Sequence, residues 1–124
     1  MRNQKQDKNA RQVDVYMFAA SFSLLDSALF VSDIQYVSNV TVNNKWFIKD
    51  RLLFEKQFAD FVLGSDGSEN ESYMTSLQFA EKEKKLIRKR ERLIKRNKKK
   101  NGFKYNSVSA FKFSNPEPEP ASEP

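Results

Sequence analysis

The stretch Val13 to Leu25 (VDVYMFAASFSLL) does most to narrow what this chain can become. Tyr16, Phe18, Ala20 and Phe22 recur at period two, while Val15 and Met17 stand on the opposite face of the same extended segment. Successive strand side chains point to opposite sides, so apolar residues in both phases require cover on both sides of the sheet. A strand with one face in water would alternate apolar with polar instead. The segment therefore reads as a strand covered on both sides.

Its partners follow along the chain. Leu29 to Val37 (LFVSDIQYV) alternates Phe30, Ser32, Ile34 and Tyr36 against Val31, Asp33, Gln35 and Val37, and Asp26-Ser27 reads as the turn of a hairpin. Val40 to Val42 reads as a short third strand before an Asn43-Asn44 turn. From Asp50 to Leu63 the period changes: Phe54, Phe58, Phe61 and Val62 fall at i, i+4, i+7 and i+8, on one helix face. Asp50 is the expected N-cap and Gly64 the expected residue just past the C-terminus. After a polar loop from Gly64 to Ser72, Tyr73, Thr75, Leu77 and Phe79 alternate as a strand. Residues 80–98 form a second helix closed by Asn101-Gly102, and Phe103 to Phe113 the last strand. The expected order is β-β-(β)-α-β-α-β, an α+β fold: a single, mostly antiparallel sheet with two helices on one face.

All eleven phenylalanines, all four tyrosines and the single tryptophan fall between Val13 and Phe113, enough to close one core without disulfides. Residues 1–12 and the tail 115–124 (NPEPEPASEP) have almost nothing to bury, so the expected domain is 13–114 between two disordered ends. The longest nearly apolar run is too short for a membrane span, and no apolar stretch of signal-peptide length follows the charged start. As written the chain reads as cytoplasmic; a trimmed mature form of an envelope protein would look the same.

The element order, with the segments VYMFAASFSLLDSALFVSDIQYV, DRLLFEKQFADFVLG and the basic helix followed by FKF, resembles a group of small uncharacterised bacterial α+β proteins, often lipoproteins. The resemblance spans about Val13 to Phe113 and implies a hairpin, an aromatic-rich helix and a Lys-rich helix. This chain has no lipobox cysteine, so membrane anchoring is not implied, and the group brings no activity or functional residues with it.

Charge is concentrated in one place. Between Glu81 and Lys100 twelve Lys and Arg face three Glu, an excess of nine in a chain whose net charge is +6, so the remainder is slightly acidic. Leu86 and Leu93, with Ile87 and Ile94, form one apolar stripe at roughly 3.5-residue spacing; Arg90 and Glu83 project into the same sector, so either burial is shallow there or the two long side chains snorkel to its edge. Lys84, Lys85, Arg88, Lys89, Arg92, Lys95, Arg96 and Lys99 cover the remaining surface. Three readings suit them. One is a plain solvated face supported by Glu81–Lys85 and Glu91–Lys95 pairs. A second is a phosphate-binding face for nucleic acid or a ribonucleoprotein. The third is a face for anionic lipid or an acidic protein surface. The repeated like charges at i, i+4 (Lys84/Arg88, Lys85/Lys89, Arg88/Arg92, Arg92/Arg96) each cost a little and are poorly explained by solvation alone. A structural protein–protein component of a cell-envelope or virion assembly is the alternative without nucleic acid. Stacking aromatics beside the helix would be drawn from Tyr16, Tyr36, Trp46, Phe103, Tyr105 and Phe111, although strand alternation first makes them core.

Catalytic chemistry has little to work with. There is no Cys and no His, hence no thiolate, no imidazole base and no zinc–thiolate site. Asp26, Asp33 and Asp50 lie near element ends without the spacing of an acid–base dyad. Asp66 to Asn70 places oxygens at alternate positions, but Glu71 and Leu77 stand where a calcium loop needs Gly and Glu. No Gly-rich phosphate loop is present, and three glycines leave little room for one. The expectation is a non-enzymatic binding protein without metal or cofactor, and the acidic tail (Glu117, Glu119, Glu123) is long enough to fold back and screen the helix.

Overall fold

The computed structural model of the chain describes residues 10–64 and 72–115. β1 (Arg11–Ser23) is the strand that its two apolar phases demand, with Met17 to Ser21 buried consecutively. A turn over 24–27, with Ser27 at φ 52°, sends the chain back as β2 (Ala28–Ser32) and β3 (Gln35–Val42). The strand expected over 29–37 is thus interrupted at Asp33-Ile34, and the expected short strand at 40–42 is the far end of β3. Between the pairs Ala20↔Val31 and Met17↔Gln35 the partner spends one residue more than β1, as at a bulge. Ser32 repairs the gap: its hydroxyl accepts from the Ala19 N–H (3.0 Å) and donates to the Asp33 carbonyl (3.0 Å).

β4 (Met74–Ala80) pairs antiparallel with Tyr16 to Phe22, and β5 (Lys104–Val108) pairs parallel with β2. Tyr16 and Met17 pair with both β3 and β4, and Ala20 to Phe22 with both β2 and β4. β2 and β3 therefore share one edge of β1, and β4 takes the other. The result is one mixed five-stranded sheet, mostly antiparallel, with β4 outermost on one side.

Two helices complete the α+β fold, α1 (Arg51–Leu63) and α2 (Glu83–Asn101). They do not share a face. Phe54 and Phe58 of α1 pack with Val15, Met17 and Ala19, whereas Leu86 of α2 packs with Phe18, Ala20, Leu29 and Val31. Odd and even residues of β1 point to opposite sides, so the helices cover opposite faces, in correction of the one-face arrangement expected from the sequence. The cause lies in β1, whose two apolar phases each need a cover. β4 and β5 run parallel with β1 and β2 between them, and α2 is the crossover that joins them.

The last strand stops at Val108 rather than Phe113, and the chain passes from one face to the other. Phe103 lies in the core under α2; Phe111 lies in the core under α1. There Phe111 meets Phe58 (5.2 Å), Phe61 (5.4 Å) and Phe113 (4.8 Å), two of them edge-on. Side-chain amides replace the ladder this segment lacks. Gln35 donates to the Phe111 carbonyl and accepts from the Phe113 N–H (2.8 Å each), and Gln57 clasps Ser114 in the same two-point way. The free edge of β4 is blunted similarly: Arg51 donates to the Leu77 carbonyl (2.6 Å) and Glu55 accepts from the Leu77 N–H (3.0 Å).

Of the ends expected to be disordered, Arg11 and Gln12 belong to β1, and Asn115 donates to the Ser38 and Asn39 carbonyls. Residues 1–9 and 116–124, the acidic tail included, lie outside the described residues, as does the Asp66–Asn70 loop. Asp50 opens α1 through its carbonyl, which accepts from the Phe54 N–H (3.0 Å), without a side-chain cap bond.

Replacing Phe111 by Ala should lower unfolding free energy by about 3–5 kcal/mol, as for a buried core phenylalanine. Phe47→Ala, at a 65% exposed side chain, should change it far less. Urea denaturation followed by circular dichroism measures both.

Candidate functional site

α2 rests on the sheet through a narrow seam. Leu86 is fully buried, Leu93 and Ile94 are half-buried, and Ile87 is exposed. Arg90, the misfit in the apolar stripe, is the polar anchor. Its Nε donates to the Ser32 carbonyl (2.9 Å), and its Nη2 reaches the Tyr105 hydroxyl (3.4 Å) and Asp33 Oδ1 (4.0 Å). The guanidinium thus lands on the break between β2 and β3. At the far end Gly102 turns left-handed (φ 64°), and Phe103 N–H donates to the Asn97 carbonyl (3.1 Å).

At 100° per residue the eight basic residues expected at the surface, Lys84, Lys85, Arg88, Lys89, Arg92, Lys95, Arg96 and Lys99, fall in one sector of roughly 140°. Glu83, Ile87, Glu91 and Lys98 take the opposite flank. Seven of the eight are exposed and Lys89 is half-buried. Among the described residues none of the eight forms an ion pair, whereas Arg51–Glu55, Lys56–Asp60 and Arg90–Asp33 do. The Glu81–Lys85 and Glu91–Lys95 bridges expected from spacing are not formed. Within the described residues the sector is therefore cationic with no paired counter-charge.

Its two flanks differ in chemistry. Toward β4, a concavity of about 430 Å³ is lined by Trp46, Phe79, Ala80, Glu81, Lys82, Lys85 and Lys89. It meets, at Lys89, a second one lined by Gln78, Arg92, Leu93 and Arg96. Together they form one basic groove along the outer strand. Toward β2 the corresponding hollow is lined by Asp33, Ile34, Ile87, Arg90 and Glu91, and is of mixed charge and partly apolar.

The aromatic candidates divide. Phe103 and Phe111 are buried core residues. Tyr105 lies half-buried beside Arg90, with Lys98 Nζ 5.9 Å from its ring. Tyr16 and Tyr36 pack against each other at 5.1 Å. The exposed Tyr36 hydroxyl donates to Asp14 Oδ2 (3.0 Å), and this hydrogen bond to a carboxylate, with desolvation and the Asp14 charge, holds its pKa above the ordinary tyrosine value. Tyr73 is likewise raised, by burial and then by its bond to Asp26. Of the six candidates, Trp46 alone stands against the cationic sector. Strand alternation signals neither its position nor the place of Lys82 in the groove; the Asn43-Asn44 turn is the only local sign that the chain reverses there.

The carboxylates singled out for catalysis sit apart: Asp26 in the β1–β2 turn, Asp33 at the sheet break and Asp50 before α1. Among the described residues no cluster of three or more His, Cys, Asp or Glu is arranged to hold a metal, and no helix is long and apolar enough to cross a membrane. No protein-family model, curated protein or solved structure matches this chain.

Removing Arg90 should cost more than removing any of its exposed neighbours. Arg90→Ala should destabilise by about 1.5–3 kcal/mol, the range for hydrogen bonds to charged groups, while Arg88→Ala stays within about 0.5 kcal/mol. Thermal melts of the two variants side by side provide the measurement.

Proposed function

We propose that this chain is a non-enzymatic binding module that presents α2 to a polyanion, with nucleic acid, alone or in a ribonucleoprotein, as the partner that best fits. The observation that carries this reading is the unopposed cationic sector: eight Lys and Arg on one side of a docked 19-residue helix, none of them in an ion pair among the described residues. Charges of one sign held about 5–6 Å apart repel one another. A string of phosphates relieves that repulsion and gains from the release of its own counterions. Because Leu86 and Arg90 tie the helix to the sheet, the charge is displayed in fixed geometry over about 22 Å, from Lys84 to Lys99.

A second reading, a structural protein–protein component, draws on Leu24 and Leu25 at the β1–β2 turn and Leu52 and Phe61 on α1, all exposed. In that case association survives high salt.

The combined variant Lys85→Gln, Lys89→Gln, Arg92→Gln and Arg96→Gln discriminates. Fluorescence anisotropy with a labelled oligonucleotide should show steeply salt-dependent binding by the native chain. The variant should flatten the slope of log K against log[salt] by about 0.7–0.9 for each phosphate left without its cation. Equal affinity and equal slope in the two proteins would refute the reading.

A further inference from the structure

We propose that the groove along β4 is built for a single strand: phosphates on Lys82, Lys85, Lys89, Arg92 and Arg96, and one unpaired base stacked on Trp46. The inference rests on the polyanion reading above and goes beyond it by naming the form of the nucleic acid and an aromatic platform for it.

Trp46 is held where it is at a conformational cost. It lies in the loop 43–47, closed by the Val42↔Ile48 bridge, and has φ 62°, a left-handed conformation that bulky side chains rarely adopt. Asn43 imposes it. Its carbonyl accepts from the Trp46 N–H (2.9 Å), and its side-chain oxygen accepts from the N–H groups of Lys45 (2.8 Å) and Phe47 (3.1 Å). Gly or Asn would occupy such a position without strain; a tryptophan there is an outlier of the kind that gathers at binding sites.

The surroundings say what the indole meets. One part of it packs against the core under α1, and another lines the concavity that holds Lys82, Lys85 and Lys89. The guanidinium of exposed Arg11 lies over the ring, 4.8 Å from its centroid, so one face of the indole already takes a flat group. Glu81 is the one acid among the described residues that line the same concavity. A phosphate avoids a carboxylate, whereas an N–H on the Watson–Crick edge of a base, the N3–H of thymine included, donates to one, so the Trp46–Glu81 corner favours base and leaves the backbone to the lysines beside it. From there the cations continue at alternating steps of three and four residues, about 4.5–6 Å along the helix axis. A one-sided groove of this kind follows a single backbone, and a stacking platform needs a base that is not already stacked in a duplex.

Trp46 is the only tryptophan in the chain, so its fluorescence reports on the site directly. The test titrates the full chain with three probes at low salt: a ten-nucleotide oligothymidylate, an abasic oligonucleotide of equal phosphate count, and a ten-base-pair duplex. Oligothymidylate should quench the emission and bind about tenfold or more tighter than the abasic strand, in line with the strength of a base–aromatic stack. Trp46→Leu should erase that preference and Trp46→Phe should keep most of it, with anisotropy as the readout and circular dichroism confirming the fold. Should Trp46→Leu fail to fold, quenching and base preference in the native chain, together with Trp46→Phe, decide. Equal binding of the base-bearing and abasic strands, or tighter binding of the duplex, would overturn the inference and leave the polyanion reading standing. Binding of none of the three would overturn both.

Discussion

Burial of β1 from both sides is the constraint on which the rest of the molecule depends. Met17, Phe18, Ala19 and Ala20 leave water together only if each face of the sheet has its own cover. α1 supplies one and α2 the other, and the order of strands follows. A hairpin partner fills one edge of β1, β4 fills the second, and the link from β4 to β5 must cross the face that α1 leaves open. After β5 the chain rounds the sheet, so that Phe111 and Phe113 thicken the cover under α1. The two glutamine clasps let a segment without strand partners lie there without stranding its peptide groups.

Much of this is legible in the sequence, and the reason is periodicity. Two apolar phases in Val13–Leu25 announce a doubly covered strand, and the change of period at Asp50 locates α1. Helical arithmetic also places the eight basic residues in one exposed sector. What periodicity cannot supply is the relation between elements. The phase of a helix says which of its sides is buried, but not which face of a sheet buries it, and so the expectation of both helices on one face fails. The alternation of Ser32, Ile34 and Tyr36 runs unbroken through Asp33-Ile34 in sequence, although the register slips there in space. Phe111 and Phe113 keep strand spacing after the strand has ended, because their rings face α1 rather than a pleat. Trp46 joins the basic groove only once a loop after β3 and a helix after β4 meet at one edge, a relation between residues some forty positions apart.

The two covers are unequal, and this bears on function. α1 commits Phe54, Phe58 and Ala59 to burial, while α2 fully buries Leu86 alone among its described residues. At about 25 cal/mol per Å² of apolar surface, a helix with so narrow a seam gains little from docking. It relies instead on Arg90, whose guanidinium serves a carbonyl at the β2–β3 break. Arg90 therefore belongs to the architecture, and the cations around it are relieved of that duty.

A helix whose exposed sector repels itself and whose seam is thin is stabilised by whatever neutralises that sector in the folded state. Any ligand that binds the native chain in preference to the unfolded one adds RT ln(1 + [L]/Kd) to its stability. For α2 this coupling is direct. On the proposed reading, phosphates aligned along the groove would remove the like-charge penalty at Lys85/Lys89 and Arg92/Arg96, and would do so only while Leu86 and Arg90 hold the helix in place. Docking of the helix and the proposed recognition of a polyanion would then be two parts of one equilibrium. On that reading, the excess of nine charges on so lightly anchored an element is half of an interaction that a polyanion would complete.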